Sequence, residues 1–274
     1  MRRSTRRTWP RCCPRPRTIS GCTTSRRSRT GSSRRRPTAC SSHRRDVTAL
    51  VIAHRGASGY ELENSLAAFR AAGPKGADAV ELDVHSTTDG ALFVHHDDAL
   101  DGSRRIPQLT REQARAFRLA NGEPLPLLDE ALQAAGTLRV FVEVKSLDPR
   151  FDDRLLAALE RGPNPSGYAV HSFDHRVVQR LGSRRPALPR GVLSGSYPVR
   201  PLAPLHDAGA TTLWQERSLV DRALVDLMHG AGCQLLVWTV DQPAEMERLL
   251  SLGVDGLCTN FPDVGRRVVD RFAA

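Results

Sequence analysis

Acids, histidines and an arginine follow three short apolar runs in the first half of the sequence. Each run has the length and composition of a buried β-strand, and each leads directly into polar residues. These polar residues are His54, Arg55, Glu81, Asp83, His95, His96 and Asp97. Carboxylates beside imidazoles suit metal binding and proton transfer, so strands that end in these residues indicate an active site rather than an ordinary polar surface.

The second and third runs are predicted to form an antiparallel hairpin. Asp89-Gly90 is a strong signal for a two-residue turn, and the connection is too short for the crossover that parallel strands need. With this turn at the centre, Asp83 faces His96, and Glu81 lies on the same face because side chains alternate along a strand. Two carboxylates and a histidine on one face suit a hard divalent cation beside a proton-transfer group. The plainer alternative is an exposed hairpin with solvated polar residues.

Five short motifs in this region resemble the signature of the glycerophosphodiester phosphodiesterase family. In that family HRG is followed by E-N-T/S, E-x-D, a D-G turn and H-D. The corresponding segments are His54-Arg55-Gly56, Glu63-Asn64-Ser65, Glu81-Leu82-Asp83, Asp89-Gly90 and His96-Asp97. Their order and spacing match, and the resemblance covers nearly all of the chain from about Leu50 onward. It implies a metal-dependent phosphodiesterase that hydrolyses glycerophosphodiesters to glycerol 3-phosphate and an alcohol.

The resemblance also implies roles for individual residues. The implied general acid/base pair is His54 and His96. The implied metal ligands are Glu81, Asp83 and Glu143. The implied substrate-binding residues are Arg55, Lys145 and Trp238. Three carboxylates favour one divalent cation that prefers oxygen ligands, Mg²⁺ or Ca²⁺, over zinc, and the sequence does not choose between these two.

Four further residues bear on the site, and two of them, His171 and Trp238, leave two interpretations open. The predicted register turns His95 away from the site, so it is expected to be structural. His171 ends an apolar run and is either a core histidine or part of the site. Trp238 is either a packing residue at a strand end or a substrate contact. Asn260 stands where the family pattern has an aspartate, so any electrostatic role of that acid is expected to be lost.

From Leu50 onward, apolar runs alternate with helical patterns, as in repeated βα units. Eight strands are predicted, with 92–96 as a return strand outside the count: 50–54, 79–84, 139–144, 168–171, 192–194, 211–214, 235–239 and 256–259. Eight units in roughly 230 residues predict an α/β fold of the (β/α)₈ TIM-barrel type, in which the active site lies at the carboxyl ends of the strands. A doubly wound open sheet is the alternative, but no Gly-rich phosphate loop supports it.

The chain is predicted to consist of a tail, 1–46, and a barrel, 47–274, with a short insertion at about 98–126 that carries one helix, 111–119. Fifteen arginines and one acid give residues 1–46 a net charge of +14, which leaves −4 for the barrel out of the total of +10. A segment so poor in apolar residues is expected to be disordered. It is interpreted as a targeting segment, a binding tail for nucleic acid or anionic membrane, or sequence upstream of a later start.

Two competing functions stay open at this point. One is a lysophospholipase D that acts on lipid diesters with the same residues. The other is a nucleic-acid-binding or membrane-binding protein in which the basic tail acts and the barrel is inactive. The expected partner of the barrel is a small glycerophosphodiester, with no nucleic acid; the oligomeric state stays undetermined. The sequence contains no run of about 20 apolar residues, so no transmembrane segment is predicted, and a cytoplasmic location is expected.

Overall fold

A computed structural model describes residues 49–274, so the predicted tail and its boundary with the barrel lie outside the described residues. Within this range the strands are β1 (Leu50–Ala53), β2 (Ala79–Ser86), β3 (Leu92–Val94), β4 (Arg139–Ser146), β5 (Tyr168–Ser172), β6 (Arg190–Ser194), β7 (Thr212–Glu216), β8 (Gln234–Trp238) and β9 (Gly256–Thr259). All except β3 run parallel, and β1 pairs with both β2 and β9. The sheet is therefore a closed barrel of eight parallel strands, which confirms the predicted fold.

Helices lie between the barrel strands and after the last one. In the same part of the chain they are α1 (Leu66–Ala72), α2 (Arg111–Arg115), α3 (Leu128–Ala135), α4 (Asp152–Arg161), α5 (His175–Arg184), α6 (Ala203–Ala208), α7 (Arg222–Gly230), α8 (Pro243–Leu252) and α9 (Pro262–Ala273). Local signals set several ends: the Ser65 side chain accepts a hydrogen bond from the backbone N–H of Ala68 at the start of α1. Gly209 and Gly253 end α6 and α8 in the left-handed conformation that glycine adopts without strain.

Alternation along each strand divides the apolar residues into two layers. Side chains such as Ile52, Phe141 and Trp214 fill the barrel interior. Residues that alternate with the inward-facing ones, such as Leu82 on β2 and Val142 on β4, pack outward against the helices. Each such buried side chain contributes roughly 1.5–3 kcal/mol relative to an exposed one. Apolar side chains fill the interior of the barrel, so the polar groups that follow the strands meet above this layer, at the carboxyl end of the barrel.

The hairpin of β2 and β3 is antiparallel, as predicted, but its register differs by one residue. Val84 pairs with Val94 and Ser86 with Leu92, and the backbone N–H of Thr87 donates to the carbonyl of Ala91. The loop therefore has three residues, 88–90, and Gly90 has a φ of +81°. A three-residue hairpin loop needs such a left-handed residue at its end, and the D-G signal is common to this loop and the two-residue turn. The predicted pairing of Asp83 with His96 is therefore wrong.

The insertion after β3 has a small apolar core of its own. Ile106, Ala114 and Leu125 pack with Phe93 of the hairpin. The predicted helix 111–119 is shorter in the structure, where α2 ends at Arg115 and the chain then turns back. Among the described residues 49–274, no helix combines the length and the apolar character needed to cross a membrane.

Two acids attach the insertion to the barrel helices. The Glu123 carboxylate accepts the backbone N–H of Leu66, the first residue of α1, at 2.8 Å. Glu130 in the first turn of α3 binds both terminal nitrogens of Arg115 at 2.6 Å. Carboxylates at helix N-termini are favoured by the helix dipole, so these contacts hold the insertion beside the mouth of the barrel.

Candidate active site

The predicted carboxylates meet at the carboxyl end of the barrel. Asp83 and Glu143 are register partners on β2 and β4, and Glu81 lies two residues before Asp83 on the same face. All three are buried. The Lys145 ammonium lies between two of them, with its Nζ 2.7 Å from Glu143 Oε1 and 3.2 Å from Asp83 Oδ1.

The three acids titrate differently because their neighbours differ. Burial, followed by the charges of Asp83 and Glu143, raises the pKa of Glu81 well above its usual value. Burial and the charge of Asp83 raise the pKa of Glu143 to about 7. Burial would also raise the pKa of Asp83, but the charges of Lys145 and Arg55 outweigh it and lower that pKa. The raised pKa values of Glu81 and Glu143 show that the two cations beside the cluster do not fully offset the burial and mutual repulsion of its carboxylates.

His171 on β5 also reaches this cluster. Its register partner is Glu143, its Nε2 lies 3.9 Å from Glu81 Oε1, and its ring stacks on Trp214 at 4.3 Å. Ligand atoms of Glu81, Glu143 and His171 lie within 4.8 Å of one another. Burial lowers the pKa of His171 to about 3, so the ring is neutral near pH 7 and can offer a lone pair. The sequence left its role open, whereas the structure brings it to the cluster.

The donor set fits a divalent cation. Buried carboxylates with raised pKa values repel one another, and a bound cation would relieve that repulsion. Within residues 49–274, His171 Nδ1 is a buried side-chain atom without a hydrogen-bond partner, and Asp83 Oδ1 has an ion-pair contact with Lys145 Nζ at 3.2 Å but no hydrogen bond. Carboxylate oxygens are the ligands that Mg²⁺ and Ca²⁺ prefer. The nearby imidazole nitrogen of His171 does not exclude these ions, since they can bind through the carboxylates alone, and it would also suit Mn²⁺.

Arg55 and Asn64 attach the loop after β1 to the acids on β2. Both residues have positive φ angles, of 56° and 55°. The backbone N–H of Arg55 donates to Glu81, its side-chain Nε lies 3.3 Å from Asp83 Oδ2, and the Asn64 amide donates to the same oxygen at 2.8 Å. Left-handed backbone at two non-glycine residues is held here by these contacts. The E-N-S motif is therefore a support for Asp83, while the outer nitrogen of Arg55 reaches Glu63 at 2.8 Å.

His54 lies at the end of β1 against the loop after β9. Its Nδ1 is 2.8 Å from Asn260 Oδ1. Burial, followed by the charge of Arg55, lowers the pKa of His54, so the ring is neutral near pH 7. Among residues 49–274, Asn260 is the only group that hydrogen-bonds the ring, which leaves Nε2 without a partner in this part of the chain.

His96 lies beyond the end of β3, where the hairpin has separated. Its Nδ1 lies 2.8 Å from the carboxylate of Asp97, and its side chain is 34% exposed. A positive charge on His96 lowers the pKa of Asp83, after the larger effects of burial, Lys145, Arg55 and the Asn64 hydrogen bond. The backbone N–H of His95 donates to the carbonyl of Asp83, and the His95 ring turns to the carbonyl of Asp97 at 2.8 Å. Which of the two histidines acts on substrate stays a prediction.

His85 is a residue of the site that sequence reasoning missed. It is buried, its Nε2 lies 3.2 Å from the backbone carbonyl of His96, and its Nδ1 lies 2.9 Å from Ser146 Oγ. It therefore attaches the loop that carries His96 to β2 and β4. Alternation along β2 was the available signal, since His85 comes two residues after Asp83.

Trp238 ends β8 at the rim of the barrel mouth. Its ring meets Phe173, which follows β5, edge to face at 5.6 Å, and its buried indole Nε1 has no hydrogen-bond partner among the described residues. Phe173 is 49% exposed. An aromatic corner with an unused N–H donor can both pack against a substrate and donate to it.

Known proteins are similar to this chain in sequence and in fold. Residues 54–264 match the model of the Glycerophosphoryl diester phosphodiesterase family. A glycerophosphodiester phosphodiesterase of Caldanaerobacter subterraneus is 32% identical over 233 residues, which cover 78% of this chain and 95% of that protein. A glycerophosphodiester phosphodiesterase of Bacillus subtilis is 28% identical, with 80% and 86% covered.

Solved structures agree with these relatives. The crystal structure of a glycerophosphodiester phosphodiesterase from Parabacteroides distasonis has a TM-score of 0.75 and 27% identity, with 83% of this chain and 99% of that chain covered. A phosphodiesterase of Oleispira antarctica, solved in complex with the product sn-glycerol-3-phosphate, has a TM-score of 0.76 at 24% identity, a likeness of fold, with 81% and 97% covered. By its sequence, its barrel and its relatives, the chain belongs to the glycerophosphoryl diester phosphodiesterase family, whose members are phosphoric diester hydrolases.

Proposed function

We propose that this chain hydrolyses glycerophosphodiesters to glycerol 3-phosphate and an alcohol, with one bound divalent cation and two histidines for proton transfer. The observation that carries the proposal is the meeting of three buried carboxylates, Glu81, Asp83 and Glu143, with two cationic side chains at the mouth of the barrel. A phosphodiester is an anion, and a pocket of this kind is built to hold one beside a metal ion.

The three carboxylates would hold the cation, with His171 as a further donor within reach. A bound divalent cation would neutralise negative charge on the phosphate oxygens. Arg55 and Lys145 would bind the same oxygens, since both carry full charges and both already lie against the acids. Trp238 would pack against the substrate and offer its indole N–H.

His54 and His96 would divide the proton transfers. If water attacks, its oxygen bonds to phosphorus while the P–O bond to the alcohol breaks, which gives glycerol 3-phosphate directly. If a hydroxyl of the substrate attacks, the same P–O bond breaks and leaves a cyclic phosphodiester, which a water molecule then opens to glycerol 3-phosphate. His54 would take the proton of the attacking group at Nε2, because burial lowers its pKa, which keeps the ring neutral, and its Nδ1 is already engaged. His96 would give a proton to the departing alcohol oxygen, because its ring is partly exposed and solvent can resupply that proton.

The metal requirement is tested by removing the cation. EDTA should abolish hydrolysis of glycerophosphocholine and glycerophosphoethanolamine, and Mg²⁺ or Ca²⁺ should restore it. The same ions should raise the Tm of the wild-type chain but not that of Glu81→Gln or Glu143→Gln, because a ligand that binds only the folded state stabilises it. Full activity in a metal-stripped sample would rule out this role for the acids.

A matched control is available in Asp152. This acid is also buried, but it pairs with Arg180 at 2.7 Å between α4 and α5, outside the site. Asp152→Asn should lower stability and leave both the metal response and the turnover unchanged. Equal losses in Asp152→Asn and Glu81→Gln would mean that the assay reports stability rather than the site.

One observation favours a second substrate class, lysophospholipids. Phe173, Tyr197 and Val199 are large apolar residues exposed after β5 and β6, on the same face as the active site. Exposed apolar side chains at the rim of a pocket suit a lipid chain. The substrate panel should therefore include a lysophosphatidylcholine below its micellar concentration, and its kcat/KM relative to that of glycerophosphocholine decides between the two classes.

A further inference from the structure

A carboxylate lies directly behind the asparagine that contacts His54. Asp241 follows β8, Asn260 follows β9, and His54 follows β1, so the three residues come from neighbouring positions around the barrel. The Asn260 amide nitrogen donates to Asp241 Oδ2 at 2.7 Å. Asn260 Oδ1 lies 2.8 Å from His54 Nδ1. The three side chains thus form a continuous chain of hydrogen bonds.

The Asp241 carboxylate is itself held by the strand-end backbone. Its Oδ1 accepts the backbone N–H of Asn260 at 2.9 Å and the hydroxyl of Thr259 at 3.0 Å. With the bond from the Asn260 side chain, Asp241 accepts three hydrogen bonds from two consecutive residues. Both oxygens are therefore fixed, and the carboxylate cannot turn away from Asn260 without losing them.

This carboxylate decides which way the Asn260 amide faces. An ionised carboxylate only accepts hydrogen bonds, so the NH₂ group of Asn260 must face Asp241 and its carbonyl oxygen must face His54. Ser58 Oγ lies 2.8 Å from the same oxygen atom, but its single proton is also within reach of the His54 backbone carbonyl at 2.7 Å, so the direction of the amide is set by Asp241 rather than by Ser58. A carbonyl oxygen accepts only, so the proton of the neutral His54 ring must sit on Nδ1. The lone pair is then left on Nε2.

We propose that Asp241 is a positioning residue that acts through Asn260 to hold His54 in the Nδ1–H tautomer. The family pattern has an aspartate at position 260, which could accept from His54 directly. In this chain the negative charge lies on Asp241, which contacts Asn260 rather than His54. The Asn260 amide is oriented by that carboxylate and in turn fixes which nitrogen of His54 carries the proton. The proposal rests on the proposed function, in that the Nε2 lone pair matters for catalysis if His54 is the base.

Three variants test this chain of bonds. In Asp241→Asn, the amide oxygen of residue 241 would keep the Thr259 and backbone bonds, so its NH₂ group would face Asn260. Asn260 would then turn its own oxygen toward residue 241 and its NH₂ group toward His54, which forces the proton of the ring onto Nε2. We expect kcat to fall by about 10²-fold with KM little changed.

The exchanged pair, Asp241→Asn with Asn260→Asp, should restore the arrangement. The new amide at position 241 would donate to the new carboxylate at position 260, and that carboxylate would accept from His54 Nδ1. Asn260→Asp alone places two carboxylates against each other and should lose both stability and activity. Recovery in the double variant but in neither single one is therefore the expected kinetic result.

The tautomer is measured without substrate by ¹⁵N NMR of histidine-labelled protein at about pH 8, above the ordinary imidazole pKa. The His54 signals are assigned by their loss in His54→Gln. We expect Nδ1–H in the wild type, Nε2–H in Asp241→Asn and Nδ1–H again in the double variant. Retention of Nδ1–H in Asp241→Asn, or failure of the double variant to restore it, would overturn the proposal.

Asp255→Asn is the matched control. Asp255 also accepts a backbone N–H, that of Leu235 at 2.7 Å, and faces a histidine, His229, at 3.1 Å, but it precedes β9 at the other end of the barrel. Its substitution should lower the Tm without altering the His54 tautomer or kcat. A wild-type chain inactive on every diester would refute the proposed function, and the NMR result would then decide the positioning role by itself.

Discussion

The two histidines assigned to proton transfer lie in two differently built regions of the barrel mouth. His54 is fixed by side chains that follow neighbouring barrel strands, Asn260 and Asp241. His96 lies after the hairpin strand β3, and its ring nitrogen is paired with Asp97, the next residue, whose side chain is 70% exposed. The position of the His54 ring is held by residues at the ends of barrel strands. The position of the His96 ring is held by a loop, which the sheet supports where the loop leaves β3.

This difference suits the two proposed roles. A base needs one defined tautomer with a free lone pair, and a network at strand ends supplies that with little freedom to rearrange. An acid has to reach the oxygen of a departing alcohol, whose shape varies between substrates. A half-exposed ring on a loop beside the insertion can meet that need while the barrel stays unchanged.

Alanine substitution of the two histidines should give the largest effects. His54→Ala and His96→Ala should each lower kcat by about 10²- to 10⁴-fold, because each removes a proton-transfer group. The measurement is kcat at saturating metal, with the Tm recorded for each variant. The two variants should differ when the substrate is an aryl ester. Its leaving group departs without protonation, so His96→Ala should recover much of its rate with this substrate, whereas His54→Ala should recover little.

His95→Ala is the control for the hairpin. The observed register places the backbone of His95, rather than that of His96, opposite Asp83, but its ring is turned to the carbonyl of Asp97. We expect its kcat to change by less than about threefold. If His95→Ala were inactive and His96→Ala active, the two residues would exchange roles and the acid would have to be sought at His95.

The sequence was a good guide to the barrel and a poorer guide to contacts between loops. Strands such as 256–259 were predicted to the residue, because buried apolar runs and their flanking signals are local properties. The hairpin register was not, since D-G occurs in both two-residue and three-residue loops and a one-residue difference changes every pairing. Asp241 and Asn260 are 19 residues apart, and only the folded loops after β8 and β9 bring them together.

His85 and His171 were predictable in part, because their positions follow from the strands but their contacts do not. Both follow from alternation once the strands are placed, because His85 shares the face of Asp83 and His171 is the register partner of Glu143. Their functions could not be predicted in the same way. A contact such as that of His85 with the carbonyl of His96 depends on where the loop after β3 turns, which the local pattern does not encode.

Substitution of His85 tests the loop-supported region alone and should have a smaller effect. His85→Phe keeps a buried ring but removes the nitrogen that binds the carbonyl of His96, a bond with a net value of about 1 kcal/mol. We expect kcat to fall by roughly three- to tenfold, while the His54 tautomer in the NMR measurement stays as in the wild type.

Ser146→Ala provides the comparison for His85. It removes only the other ring contact of His85, at 2.9 Å, and leaves the bond to His96 in place. Its kcat should stay close to that of the wild type. An equal loss in the two variants would mean that His85 acts through β4 rather than through the loop of His96.

The smallest effect is expected from removal of residues 1–46, which tests whether the difference between the two histidines arises within the barrel alone. These residues lie outside the described range, and both histidines have their contacts within residues 49–274. Truncation should therefore leave kcat unchanged and shift the Tm by less than about 2 °C. It should also change the net charge from +10 to −4, so the shortened protein should bind an anion exchanger near neutral pH where the full chain does not. If truncation instead caused a loss of kcat that an aryl ester restores, the tail would have to act on the side of His96. If truncation altered the His54 tautomer, the tail would have to act on the side of His54.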